Sequence, residues 1–189
     1  DLSVMEMVAA YNTFPSRGVY SYPMFVTRIE DSDGNVLANF STRKREAISE
    51  HTSYLMVNLM QGVINEGTAG RIKWKYRLEG ELAGKTGTTN DNADGWFIGY
   101  TPSITAGAWV GFEDRQVHFQ SMASGQGSAA ALPIFGIWMR KILADGTLSI
   151  NEADAFIEPA GMALMPEIIG EAIDSSTPVE KNEEEEYFF

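Results

Sequence analysis

Lys85-Thr86-Gly87-Thr88-Thr89 concentrates the chain's most usable chemistry in one short run. The lysine offers three donors and a positive charge with no acceptor. The hydroxyls at alternate positions can hold the oxygens of a carboxylate, and the glycine between them lets a ligand backbone come close. In an extended strand Thr86 and Thr88 project to one face, and Lys85, Gly87 and Thr89 to the other. On an edge strand, a free backbone N–H can pair with an extended peptide or point at a developing oxyanion. The set suits a carboxylate gripped beside a reacting carbonyl. The plainer alternative is a polar strand end running into a turn, because Lys-Thr-Gly alone arises by chance in roughly a few per cent of chains of this length.

Other chemistry-bearing residues are scattered. The 189 residues contain no cysteine, which excludes disulfides, thiolate nucleophiles and Cys-ligated metals. His51 and His118 lie far apart with no third ligand spaced for zinc, so surface histidines are expected and no metal or cofactor. Asp91 and Asp94 could act as an acid pair, but fit better as a turn residue and the start of the next strand. Arg71, Lys73, Lys75 and Arg77 alternate with Ile72, Trp74 and Tyr76, the pattern of a solvated strand or loop face. Ser124-Gly125-Gln126-Gly127 reads as a flexible loop.

These residues need a scaffold to position them. Leu2 to Phe14 has near-helical apolar spacing. Tyr22 to Glu30 and Val36 to Phe40 flank the turn-forming Asp31-Ser32-Asp33-Gly34-Asn35 and predict a β-hairpin. Ser49 or Thr52 caps a second helix with an apolar stripe of Leu55, Met56, Leu59, Met60, Val63 and Ile64, ended by Gly67. Strands are expected over Leu82 to Thr89, Gly95 to Thr101 and Ile104 to Phe112. Trp96, Ile98 and Tyr100 alternate with Phe97, Gly99 and Thr101, which predicts a sheet covered on both sides. Ser128 to Leu143, with Pro133 in its first turn, predicts a buried helix. Phe156 to Met165 can pack locally.

The apolar fraction of 44% is ordinary for a globular domain, and the net charge of −12 argues against nucleic acid or anionic lipid as a partner. Part of that charge lies in the tail, where Glu180 and Glu183 to Glu186 face only Lys181. Such a run is expected to be a solvated, disordered end. The expected division is therefore 1–162 as part of one domain and 163–189 as an acidic tail.

The segment from Gly84 through Gly99-Tyr100-Thr101-Pro102 closely resembles the bifunctional (class A) penicillin-binding proteins. So do Met5-Glu6-Met7-Val8-Ala9-Ala10-Tyr11, Gly18-Val19-Tyr20, Val63-Ile64-Asn65-Glu66-Gly67-Thr68, Ala106-Gly107-Ala108-Trp109-Val110-Gly111 and Ala130 to Phe135. The resemblance implies an α/β (α+β type) transpeptidase-like fold. Its antiparallel sheet is flanked by helices, it is incomplete on the N-terminal side, and the Lys85 strand lies at an edge. The implied activity is serine acyl transfer that cross-links peptidoglycan at D-Ala-D-Ala, with β-lactams as trapping analogues. By matching position, Lys85, Thr86 and Thr88 would bind the carboxylate, with Gly87 and Thr89 beside it. The Thr88 N–H would form half of the oxyanion hole. Asn90 and Asp94 are possible cleft residues, and the loop at Ser124 borders the cleft.

The family also needs Ser-x-x-Lys and Ser-x-Asn elements upstream. Ser41-Thr42-Arg43-Lys44 and Ser149-Ile150-Asn151 match in letters only: Ser41 follows a hairpin in a charged stretch, and Ser149 comes after the last core helix. The nucleophile is therefore expected outside these residues, and the chain alone is expected to be inactive. The expected partners are stem peptides, β-lactams and the missing N-terminal half, with self-association through exposed core surface. The implied whole protein is membrane-anchored on the extracytoplasmic face of the bacterial inner membrane and carries a glycosyltransferase domain. Alternatives are a serine β-lactamase, a D,D-carboxypeptidase, or a non-catalytic peptide sensor.

Overall fold

A computed structural model describes residues 2–114 and 116–162; the acidic tail expected over 163–189 lies outside the described residues. Helix α1 (Val4–Tyr11) begins at Ser3, whose hydroxyl accepts the Glu6 N–H while the Glu6 carboxylate accepts the Ser3 N–H. This reciprocal cap satisfies two of the otherwise orphaned donors. The helix is shorter than Leu2 to Phe14 because the chain turns from Asn12 to Gly18. There Gly18 adopts a φ of 86°, and the Ile48 carbonyl sits where any Cβ would be.

Strand β1 (Val19–Ser21) pairs antiparallel with β4 (Lys44–Glu46), and between them lies the hairpin of β2 (Arg28–Glu30) and β3 (Val36–Asn39). Its turn is the expected one: Asp31 accepts the Asp33 and Asn35 N–H groups and the Asn35 amide. Its strands are shorter than the apolar runs that flank the turn.

Helix α2 (Glu50–Asn65) is capped by Ser49 rather than Thr52, the Thr52 N–H donating to Ser49 Oγ at 3.2 Å. Its buried stripe is Ser53, Val57, Met60 and Ile64, whereas Leu59, expected on the stripe, is 68% exposed. Gly67 follows the helix closely, where an added Cβ would stand 2.8 Å from Val63 Cα.

Arg71 to Arg77 corrects an expectation. The segment is a helix, α3 (Arg71–Tyr76), and not a strand or loop face. Ile72 and Tyr76, four apart, both turn inward, and Trp74 swings out to 74% exposure.

The main sheet orders β5 (Ala83–Thr88), β6 (Asp94–Tyr100) and β7 (Thr105–Gly111), all antiparallel, with β5 at one edge. One face carries Phe97 and Ala108 into a core with Ile64, Ile72, Leu78, Leu132, Phe135 and Met139. The Phe97 and Phe135 rings meet edge-to-face at 5.0 Å. On the other face Ala83 and Tyr100 pack on Val57 and Met60, with Tyr11, Phe14 and Phe156 alongside. Burial drives the Tyr100 phenol's pKa upward. Gly107 leaves room for Val8 of α1, whose Cγ2 lies 2.6 Å from the position of a Cβ there. The sheet is thus covered on both sides, as its alternation predicts.

The expected single helix over Ser128 to Leu143 is divided into α5 (Gly127–Ala130) and α6 (Leu132–Ala144), with Pro133 in the first turn of α6. Nor is α6 buried all round. Leu132, Phe135, Gly136 and Met139 face the core, while Ile134 (51%), Ile137 (45%) and Trp138 (37%) are exposed. The stretch read as a flexible loop is instead the short helix α4 (Met122–Gly125) running into α5, with Gly125 and Gly127 buried.

Candidate active site

Strand β5 forms ladder pairs with β6 from Ala83↔Tyr100 to Thr88↔Gly95, and just beyond them the Thr89 N–H donates to the Asp94 carbonyl at 3.1 Å. Antiparallel ladders alternate, so the odd residues of β5 turn their backbone groups to β6. Thr86 and Thr88 therefore turn theirs to the open edge. Lys85 Nζ donates to the Thr86 carbonyl oxygen at 2.8 Å, which holds the ammonium against that edge. Two of its three donors remain unused by the strand.

The Lys85 face opens on a cleft of about 470 Å³ lined by Leu2, Met7, Tyr11, Lys85, Thr86, Gly87, Trp96 and Ile98. Helix α1 supplies an apolar wall, and Lys85 is the single charged lining residue among those described. At Gly87 a Cβ would stand 3.1 Å from Trp96 Cβ, so the glycine keeps this floor open.

On the opposite face the threonine hydroxyls are held by residues from elsewhere. Thr86 Oγ1 lies 2.9 Å from Thr68 Oγ1, in the turn after α2. Thr88 Oγ1 accepts the Gly127 N–H at 3.0 Å, which leaves its own proton free to donate. Gly127 is forced to be glycine, because a Cβ there would run into the carbonyl oxygens of Gly87 and Trp96. The Ser124–Gly127 stretch, expected to border the cleft, instead meets the strand from the opposite face through Gly127, as helical turns, and does not line the Lys85 cleft. Thr68 closes the Val63–Thr68 run that carries the family resemblance, but that run does not mark it as a partner of Thr86.

Thr89 and Asp94 are bonded to each other. Thr89 Oγ1–H donates to Asp94 Oδ2 at 3.0 Å, and Asp94 Oδ1 accepts Trp109 Nε1–H at 2.8 Å. Asp94 is therefore occupied with structure, and it forms no acid pair with exposed Asp91. Asn90 opens a 3-10 turn (Asn90–Asn92) that leads from β5 to β6, and it does not line the cleft. Asp91 and Asn92 there hold φ values of 59° and 57°, and Asn92 Oδ1 is buried without a partner.

The look-alike motifs lie elsewhere. Ser41 lines a separate cleft with Tyr22, Pro23, Met24 and Phe40, which shares no residue with that of Lys85. Asn151 closes a turn by accepting the Ala153 N–H. His51 is exposed at the start of α2, and His118 Nδ1 lies 3.2 Å from the Phe119 carbonyl. Among the described residues no three His, Cys, Asp or Glu side chains gather in a metal-binding group.

Residues 1–138 match the family model described as the penicillin binding protein transpeptidase domain. This chain belongs to that family. It is 34% identical over 178 residues to penicillin-binding protein 1A of Clostridium acetobutylicum, covering 91% of this chain and 19% of the relative. To penicillin-binding protein 1A of Aquifex aeolicus it is 33% identical over 142 residues, 75% of this chain and 19% of the relative. The chain thus spans about a fifth of the length of the curated relatives it matches. Penicillin-binding protein 1A from Haemophilus influenzae shares the fold, with a TM-score of 0.73 at 19% identity over 84% of this chain and 28% of that one. PonA1 from Mycobacterium tuberculosis gives a TM-score of 0.61 at 28% identity, over 82% of this chain and 40% of that one. The antiparallel sheet flanked by helices is the fold shared with these transpeptidase-domain neighbours.

Proposed function

We propose that these residues form the carboxylate-binding and oxyanion-facing wall of a peptidoglycan D,D-transpeptidase. The observation that carries this reading is the edge of β5. There Lys85 Nζ caps the Thr86 carbonyl, and the Thr88 N–H faces outward beside it. PonA1 from Mycobacterium tuberculosis has been solved in complex with penicillin V, which favours β-lactams as ligands here also.

In the reaction, a serine from another segment of the whole protein attacks the carbonyl carbon of D-Ala-D-Ala. The ester forms, the C–N bond breaks and D-alanine leaves as the amine. An amine of a second stem peptide then takes the acyl group and frees the serine. The Lys85 ammonium and the hydroxyls of Thr86 and Thr88 hold the terminal carboxylate of the donor. Gly87 and Thr89 shape the strand around it. The Thr88 N–H donates to the oxygen of the tetrahedral intermediate, a donor of the kind whose loss costs about 2.7–4 kcal/mol. The 189 residues by themselves do not form the acyl-enzyme, since Ser41 lies in a different cleft from Lys85.

The whole protein would work at the extracytoplasmic face of the bacterial membrane and be anchored through other segments. Among the described residues no helix is long and apolar enough to cross a membrane.

Fluorescent penicillin labelling of the full-length protein tests the reading. Lys85→Ala is expected to lower the labelling rate about 100-fold, and the isolated 189 residues are expected to remain unlabelled. Wild-type labelling in Lys85→Ala, or an adduct mapped to Ser41, would overturn it.

A further inference from the structure

Asp94 stands one residue beyond the last ladder pair of β5, where the strand must stop, turn and return. Residues 89 and 94 exchange three hydrogen bonds. The Thr89 N–H donates to the Asp94 carbonyl at 3.1 Å, Thr89 Oγ1–H donates to Asp94 Oδ2 at 3.0 Å, and the Asp94 N–H donates to Thr89 Oγ1 at 3.0 Å. The other carboxylate oxygen accepts Trp109 Nε1–H at 2.8 Å. Trp109 is the register partner of Trp96 in β7, and the two ring centroids lie 6.4 Å apart. Trp96 in turn floors the Lys85 cleft. One carboxylate therefore ties the end of β5 to the indole behind the cleft floor. Gly111, opposite Asp94 in the register, makes room for this: a Cβ there would stand 2.6 Å from Trp109 Cζ2 and 2.9 Å from Asp94 Oδ1.

We infer that Asp94 is a positioning residue for acyl transfer: its carboxylate clamps Thr89 to Trp109 and so holds the neighbouring Thr88 N–H and the Trp96 floor in reacting geometry. This rests on the proposed transpeptidase wall and adds a residue that touches no substrate.

The clamp needs two hydrogen-bonding atoms and no charge. In Asp94→Asn the amide oxygen can accept the Trp109 N–H while the NH₂ donates to Thr89 Oγ1, so both ties survive. Asp94→Ala removes both. In the full-length protein, stopped-flow acylation with a fluorescent penicillin separates the acylation rate constant from the affinity. Asp94→Ala is expected to lower the rate constant about 10- to 100-fold with affinity changed less than about threefold, as for a misplaced but intact reacting group. Asp94→Asn is expected to return to within about threefold of wild type. Thr89→Val cuts only the strand-side tie, so it should slow acylation in the same direction even if Asp94→Ala fails to fold. A wild-type rate in Asp94→Ala or Thr89→Val overturns the inference. So does an Asp94→Asn as slow as Asp94→Ala, which would make the charge the working element.

Deuterium uptake over residues 83–96 of the full-length protein reads the clamp without any acylation. It should rise in Asp94→Ala and stay at the wild-type level in Asp94→Asn, and unchanged uptake in Asp94→Ala also sinks the idea. A wild-type protein that penicillin never labels, yet whose uptake follows this pattern, would refute the transpeptidase reading and leave the clamp standing.

Discussion

Strand β6 and the β2–β3 hairpin are both rich in apolar residues, yet they end in opposite environments. In β6, Phe97 and Tyr100 are fully buried and Ile98 nearly so. Around the hairpin, Phe25 is 81% exposed, Leu37 66% and Val36 46%. The difference is the presence of a second layer. Helices α1, α2 and α6 close over the two faces of the main sheet, whereas no described residue closes over the hairpin strands. Apolar sequence makes a core only where the fold brings it a partner surface. The candidate site belongs to the first region, so its strand is held by a packed platform, as a site of fixed geometry requires. The hairpin and the outer face of α6 leave apolar side chains exposed.

The largest test of that contrast compares one truncation in each region. Phe97→Ala removes a buried ring packed edge-to-face on Phe135 and should cost about 3–5 kcal/mol. Phe25→Ser with Leu37→Ser should change stability by no more than about 0.5 kcal/mol, while reducing binding of an apolar dye. Urea unfolding midpoints measure both, and equal losses would break the contrast. Next in size is Gly127→Ala. Its methyl group would displace α5 from the Gly87 and Trp96 carbonyls, at a cost of about 1–3 kcal/mol. An unchanged midpoint would mean that this side of the platform yields, as the hairpin does.

The same contrast explains which parts were legible in the sequence. The central strand could be read from the alternation of Trp96 to Thr101, with Asp91 marking the turn that precedes it. Helix α3 could not, because Ile72, Trp74 and Tyr76 also alternate and so mimic a strand. Tertiary packing decided it. In a strand Ile72, Trp74 and Tyr76 would share one face, whereas the helix turns Ile72 and Tyr76 inward and Trp74 out, and the Tyr76 ring lies so close over Gly136 that an added Cβ would meet Cδ2 at 2.7 Å. At the site, Lys85 to Thr89 could be read as one strand with two faces. Thr68 and Gly127 act across 18 and 39 residues of chain, a distance over which a local pattern carries no signal. The glycine-rich run at Ser124 hinted at Gly127, but it suggested flexibility where the structure has close packing.

Thr68→Val sharpens the role of that long-range partner. Thr68 is exposed, so its stability should hold. The loss of one hydroxyl contact to Thr86 should weaken carboxylate binding by about 0.5–1.5 kcal/mol. Penicillin affinity of the full-length protein measures this, and unchanged affinity would make Thr86 self-sufficient.

The smallest effect separates the two regions by acid. Hydrogen bonds from Asn35 hold the Asp31 carboxyl below its ordinary 3.8, and those from Ser3 hold Glu6 below its ordinary 4.5. A lowered folded-state value means that each contribution is fully present above the ordinary value. It is then lost as the pH falls through the lowered one. Glu6 is exposed and Asp31 only partly buried, so neither is a large term. The consequences should nevertheless differ. Protonated Glu6 weakens a cap on a helix that Val8 still pins against Gly107. Protonated Asp31 loosens the turn that joins β2 to β3, two strands with exposed faces. Amide resonances followed from pH 5 downward, to about 2, should therefore show the hairpin signals of Asp33 and Asn35 shifting toward unfolded positions while those of β7 stay fixed. Simultaneous loss in both regions would mean that the hairpin shares the platform's stability after all.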